Sequence, residues 1–337
     1  MPAAVLADVG TLAVVERPLP RLEGPADVVL DVEACGICGS DLQILSVPPG
    51  HPATVGVILG HEFVGVVSEA GADVMSLRPG DRVVVAPNVS CGQCAWCRRG
   101  LRNHCERFTT HGVFVDGGLA PHVRVPAASC FPISARLPSH VAALAEPLST
   151  VVHGVRLADP FPGETAVVIG AGPAGLMFVA LLRLAGATVV AVEPAAQRAA
   201  LARTMGAELV VDPARESAAG AVREATGGLG ADVVVDAVGS QLFTALELVR
   251  KAGRVVLFGF KGEARAEIQQ ARITRDELRI LGSFVGQDVF PDAIRLLEQG
   301  RIDFEPMVTH RIALEELPPA VEELRAGRAV KVEVEFP

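Results

Sequence analysis

The sequence predicts two folding units of different class: a barrel-like β unit, then an α/β unit built on a doubly wound parallel sheet. Three observations carry this. Up to about Ala145, glycine and proline break the chain into short β-branched runs. After Pro162-Gly163, continuous apolar runs alternate with helical stretches, the pattern of parallel strands covered on both faces. The final residues, with "VKVEVEF" as an expected strand, leave that rhythm again.

In the first unit, "DVVLDVEA", "FVGVVSEAG" and "GDRVVVAP" read as short strands between turns. In the second, "TAVVIG", "TVVAVE", "AELVV", "ADVVVDAVG" and "RVVLFG" read as five buried strands, with "ELRILGSFVG" as a sixth. The helices between them are "PAGLMFVALLRLAG", opened by a proline and closed by Gly186, then "AAQRAALARTMG", a stretch near Glu216–Thr226, and "LFTALELVRKAG". The helix "DAIRLLEQG" follows the sixth strand.

A chain of 337 residues is long enough for two cores. A net charge of −9 without a basic run argues against nucleic acid as a partner; Arg98, Arg99 and Arg102 read as local solvation. Apolar runs are too short to span a bilayer, and "MPAAVLADVG" meets Asp8 too early for a signal peptide. A cytoplasmic location is therefore expected, with no membrane partner. Seven cysteines, four in one short segment, fit metal binding in a reducing compartment better than disulfides. Lysine stands only at Lys251, Lys261 and Lys331, which reads as compositional bias.

"VVIGAGPAGL" places Gly170, Gly172 and Gly175 in G-x-G-x-x-G spacing, after an expected strand and opening an expected helix. The first glycine permits the tight turn, the second lets a pyrophosphate approach, and the third lets helix and strand pack closely. Pro173 and Ala174 complete the turn, and the helix N-terminus offers N–H groups to phosphate. Glu193 ends the second strand, where an acid accepts hydrogen bonds from the adenosine ribose. A carboxylate there repels a 2′-phosphate and favours NAD over NADP; Arg198, on the next helix, softens that preference.

"CGQCAWCRRGLRNHC" supplies Cys91, Cys94, Cys97 and Cys105, four thiolates able to close a tetrahedron around a structural zinc. An iron–sulfur cluster also takes four cysteines. A second, dispersed set joins Cys38 of "CGICGSDLQ", His61 and Glu62 of "LGHEFVG", and Glu146 of "ALAEPLSTVVHG". Thiolate, imidazole and carboxylate with an open position describe a catalytic zinc. Either glutamate could instead orient a ligand from outside the metal. The "CGIC" pair alone also admits a dithiol redox reading.

In order along nearly the whole chain, "GICGSD", "GHEFVG", "GDRVVV", the four-cysteine lobe, "GGLA", "AEPL" and "GAGPAG" resemble the zinc-containing medium-chain dehydrogenases. The glutamates after His61 and in "EPL" resemble the sorbitol and polyol branch. The resemblance implies a GroES-like catalytic domain over 1–147, with the structural zinc lobe at about 88–107. It further implies a Rossmann domain over 148–287 and a segment 288–337 returning to the catalytic domain. It implies that Cys38, not Cys35, is the zinc ligand, and that Thr150 contacts the nicotinamide. A dimer or tetramer joined near Ile280–Val285 is also implied. Where many relatives have a proton-relaying histidine this chain has Gln43, whose amide does not titrate near neutral pH. The expected function is zinc-dependent, NAD(P)-linked interconversion of a secondary alcohol and its ketone, with Ser40 accepting the substrate proton. The substrate expected is a polyol, sugar alcohol, cyclitol or aminocyclitol. A zinc-free quinone reductase of the same fold, or a non-enzymatic dinucleotide-sensing zinc protein, are the rival readings.

Overall fold

In a computed structural model describing Met1 to Pro337, the chain separates into two units. One comprises Met1–Ser149, Gly286–Arg301 and Val308–Pro337; the other comprises Thr150–Val285 and Ile302–Met307.

The first unit is built around strand Asp27–Gly36. Strand Glu62–Ala70 pairs with it antiparallel along one edge. On the other edge, His122–Pro126 pairs with its first half and Lys331–Glu335 with its last residues. The sheet runs on through Arg82–Val85 to Cys130–Pro132, and beyond Lys331–Glu335 to Val308–Ile312. Side chains alternate across each strand. Val28, Leu30, Val32, Phe63, Val67, Val83, Val123, Val332 and Val334 therefore share one core on the inner face. The same alternation turns Glu62, Lys331 and Glu333 away from that core. The register places Gly36 opposite Glu62 on one side and opposite Glu333 on the other.

The second unit holds six parallel strands. In spatial order they are Leu209–Val211, Thr188–Val192, Thr165–Ile169, Ala231–Asp236, Val249–Leu257 and Arg279–Gly282, that is, third, second, first, fourth, fifth, sixth. This is the doubly wound order that leaves a crevice where the strand direction of growth reverses, between Thr165–Ile169 and Ala231–Asp236. Val167, Val190, Val234 and Val255 bury a continuous core there.

Two elements differ from the sequence pattern. The helix expected over "LFTALELVRKAG" ends at Leu248, and Val249–Leu257 is one strand. Val249 turns extended and pairs with Ala231, while Ala252 takes a left-handed backbone (φ 55°) before the chain straightens. Pairing with the neighbouring strand overrides local helix propensity here. The sixth strand is shorter than expected, Arg279–Gly282, and the chain beyond it bends at Val285 (φ 45°). No helix is long and apolar enough to cross a membrane.

Candidate functional site: a metal centre and a glycine-rich turn

Cys38 follows the end of the central strand and caps helix Gly39–Ile44; its backbone N–H donates to Asp41 Oδ2 at 2.8 Å. His61 sits one residue before strand Glu62–Ala70, after Gly60 at φ +88°. A Cβ at Gly60 would meet Cys35 Sγ at 2.5 Å, so only glycine lets the two segments close together. The result is that the ligand atoms of Cys38, His61 and Glu62 all lie within 4.8 Å of one another. Ligand atoms around a tetrahedral zinc stand about 3.5 Å apart, so small side-chain adjustments complete the set.

The surroundings support a metal. His61 Nδ1 and Asp41 Oδ1 are buried, lack hydrogen-bond partners and face each other at 3.7 Å. A carboxylate behind the imidazole orients its other nitrogen, and it raises the basicity of a metal-ligating histidine. His61 Nε2 lies 3.3 Å from Ser40 Oγ. Burial opposes a charge on His61, but the neighbouring Asp41, Cys38 and Glu146 outweigh it and hold its pKa well above the usual histidine value. Burial pushes the Asp41 carboxyl up, against the pull of His61. A buried imidazole beside a cysteine and carboxylates is a donor set that a divalent ion can occupy in place of protons. Sequence reasoning missed Asp41, because its role appears only once the short helix turns it back under His61.

Glu146 lies in the first turn of helix Ala145–Ala158, outside the three-residue ligand cluster. Burial raises its pKa to about 7, with His61 acting against that rise. Thr150 sits half-buried on the same helix. Gln43 lies on the short helix, against the Gly50 turn.

The sequence reading also missed Lys331. It is 1% exposed, forms an ion pair with Glu62 and donates to Ile37 O at 3.1 Å. Burial disfavours its charge, but Glu62 and Glu333 hold its pKa above the usual lysine value. The signal was present: in "VKVEVEF" a lysine and a glutamate two apart must share one strand face.

In the lobe, the sulfurs of Cys91, Cys94, Cys97 and Cys105 are within 4.8 Å of one another. Backbone N–H groups point at them: Cys91 N to Cys105 Sγ at 3.2 Å, Cys94 N to Cys91 Sγ at 3.4 Å, and Arg107 N to Cys105 Sγ at 3.3 Å. Donors of this kind favour thiolate. Backbone hydrogen bonds from Gln93 and Cys94 lower Cys91 to about 6, while burial and the neighbouring thiols push Cys97 up to about 11. Four converging sulfurs could close a tetrahedron around a metal ion, which would leave no position for substrate.

In the second unit, Gly170 adopts φ +90° at the end of strand Thr165–Ile169. A Cβ on Gly175 would run into Gly170 O, so its absence lets helix Pro173–Leu184 seat on the strand. Gly172 differs: a Cβ there meets nothing within 4 Å, leaving open space against the backbone. Pro173 starts the helix, whose first-turn N–H groups, Ala174 and Gly175 included, lack intrahelical carbonyl partners as at any helix N-terminus. Glu193 Oε2 accepts from Ala171 N at 2.8 Å and Oε1 from Ala195 N at 2.9 Å, and Arg198 pairs with it at 3.0 Å. The carboxylate thus ties the glycine turn to the end of the second strand.

Together, the Cys–His–Glu cluster of the antiparallel unit and the glycine-rich turn of the six-stranded parallel unit fit the dehydrogenase class. A GroES-like alcohol dehydrogenase domain model matches residues 24–135, and a zinc-binding dehydrogenase model matches 173–299. D-arabinitol dehydrogenase 1 of Uromyces fabae is 35% identical over 329 residues, covering 96% of this chain and 93% of that protein. D-xylulose reductase A of Aspergillus oryzae is 32% identical, covering 94% and 91%. A zinc-binding dehydrogenase structure from Sinorhizobium meliloti 1021, solved with NADP, superposes with a TM-score of 0.94 at 37% identity over 99% of both chains. The chain belongs to the zinc-containing medium-chain alcohol dehydrogenase family and is an oxidoreductase.

Proposed function

We propose that this protein interconverts a secondary alcohol of a polyol and the corresponding ketone, using zinc and a nicotinamide dinucleotide. The observation that carries the reading is the convergence of Cys38, His61 and Glu62 within 4.8 Å of one another. The D-arabinitol and D-xylulose relatives support a polyol as substrate. When bound, zinc supplies Lewis acidity that makes a substrate hydroxyl easier to deprotonate, and the nicotinamide supplies the hydride acceptor.

The chain's own residues do the rest. Cys38, His61 and Glu62 hold the ion, and Asp41 orients His61. Ser40, beside His61, accepts the hydroxyl proton and passes it toward water. Gln43 does not titrate, so the proton leaves by water, ribose hydroxyls or a nearby carboxylate instead. Glu146, with a pKa of about 7, is a buried carboxyl able to gain or lose a proton near neutrality, and it assists from outside the ligand cluster. Gly170, Gly172, Pro173, Ala174 and Gly175 cradle the pyrophosphate, and Thr150 contacts the nicotinamide. Glu193 meets the adenosine ribose and favours NAD, an advantage its pairing with Arg198 reduces. The lobe cysteines hold a second, structural zinc. A homodimer or homotetramer joined along the edge strand Arg279–Gly282, in the cytoplasm, completes the reading.

The test is a panel of pentitols, hexitols, cyclitols and simple secondary alcohols, followed by nicotinamide reduction with NAD and NADP side by side. Turnover with a polyol and NAD is expected. No reduction of either nucleotide by a protein carrying two zincs per chain would overturn the reading.

A further inference from the structure

Glu333 is 0% exposed, and neither of its carboxylate oxygens has a hydrogen-bond partner. A buried carboxyl group without a hydrogen-bond partner is costly, so natural proteins rarely keep one. This one stands on strand Lys331–Glu335, opposite Gly36, while Glu62 stands opposite the same glycine from the other side. The three residues form a row across three strands, Glu62–Gly36–Glu333, with all side-chain directions on one face. Because Gly36 has no side chain, the three charged side chains converge over its backbone. A Cβ there would meet Glu62 Oε2, Lys331 Nζ at 2.6 Å and Glu333 Oε1 at 3.0 Å.

Lys331 reaches into that space from two residues before Glu333. Its ammonium has three donors. One goes to Glu62 and one to Ile37 O; Glu333 Oε1 waits at 3.9 Å. A shift of Nζ by about 1 Å would bring that oxygen to ordinary charge-assisted hydrogen-bond distance. Glu62, by contrast, has two claims on it: it belongs to the metal cluster and it is the partner of Lys331. A lysine held against a ligating carboxylate withdraws the negative charge that the metal needs. Two glutamates flanking one lysine remove the conflict. A metal held by Cys38, His61 and Glu62 would draw Glu62 toward itself and leave Lys331 to Glu333, its other near carboxyl group.

We propose that Glu333 is a positioning residue for the catalytic metal: it takes Lys331 when Glu62 turns to zinc. The inference rests on the zinc reading of the Cys38–His61–Glu62 cluster. Glu333 touches neither substrate nor metal; it acts through Lys331.

A crystal structure of the full-length wild-type protein with two zincs per chain is the direct test. Lys331 Nζ within about 3 Å of a Glu333 oxygen, with Glu62 on the metal, is the expected arrangement. Lys331 still on Glu62, with Glu333 unpartnered, overturns the inference and leaves the zinc reading intact. A zinc only in the cysteine lobe overturns both. The second measurement is zinc affinity by chelator competition, with the lobe zinc as internal control. Glu333→Gln should weaken the catalytic site alone by about 10- to 100-fold, the range for partners outside the ligand set. In a Lys331→Met background, which lacks the residue Glu333 acts on, the same substitution should change affinity little. Equal loss in both backgrounds, or none in either, contradicts the proposal. Should Glu333→Gln fail to fold, the wild-type crystal structure decides.

Discussion

Gly36 carries no side chain, and three charged side chains occupy the space that one would fill. Gly36→Ala would force Glu62, Lys331 and Glu333 apart or push the strands out of register. We expect a stability loss of about 1–3 kcal/mol, as for overpacking in a core, and at least tenfold lower turnover. Urea unfolding and initial-rate assays check this; turnover equal to wild type would contradict it. His61 leads to a pH prediction. Burial opposes a charge on His61, but Asp41, Cys38 and Glu146 hold its pKa above the ordinary histidine value. A metal at this site competes with a proton for the imidazole. Affinity should therefore fall as pH falls, by up to about tenfold per unit for each proton displaced. Chelator competition across a pH series reads the slope, and a flat line would contradict the ligand assignment. At this scale the sequence told only part of the story. Cys38 and His61 were legible through their motifs. Asp41, Lys331 and Glu333 were not: an i, i+2 pair reveals a shared strand face, but nothing local says that both faces of that strand are covered.

The glycine turn and the cysteine lobe are elements whose chemistry is carried by short, continuous segments, and both were legible for that reason. Strand, turn and helix follow one another in "TAVVIGAGPAGL", so the turn at Gly170 and the close packing at Gly175 were readable before any packing was known. Gly175→Ala should lift helix Pro173–Leu184 from its strand. The expected outcome is at least tenfold weaker nicotinamide dinucleotide binding by calorimetry with both zincs retained; unchanged binding would contradict the close-packing role. Cys94→Ser should remove the lobe zinc and lower the melting temperature by several degrees, because the metal holds the segment folded. Loss of the zinc with an unchanged melting curve would show that the lobe's metal stabilises nothing. The misread element is instructive too. "LVRKAG" has helical composition, yet Val249 leaves the helix because its backbone pairs with Ala231, more than fifteen residues earlier in the chain. Such pairing is non-local, and residue spacing within the segment does not reveal it.

For the molecule as a whole, the division of labour follows from sheet type. The antiparallel unit brings together residues far apart in sequence, Glu62 and Lys331 among them, because neighbouring strands need not be consecutive. The parallel unit places its glycine turn at the carboxyl end of the first strand, where the sheet order reverses. The broad pattern of both was readable from apolar periodicity. Periodicity did not reveal that Cys38, His61 and Glu62 converge, since that depends on which strands become neighbours; their motifs suggested the grouping. If a zinc held by Cys38, His61 and Glu62 drives alcohol oxidation, the activity depends on that ion alone. Nicotinamide reduction should therefore vanish when a chelator strips that site while the lobe zinc remains, and return on adding one equivalent of zinc. Undiminished reduction by protein holding only the lobe zinc would contradict the claim.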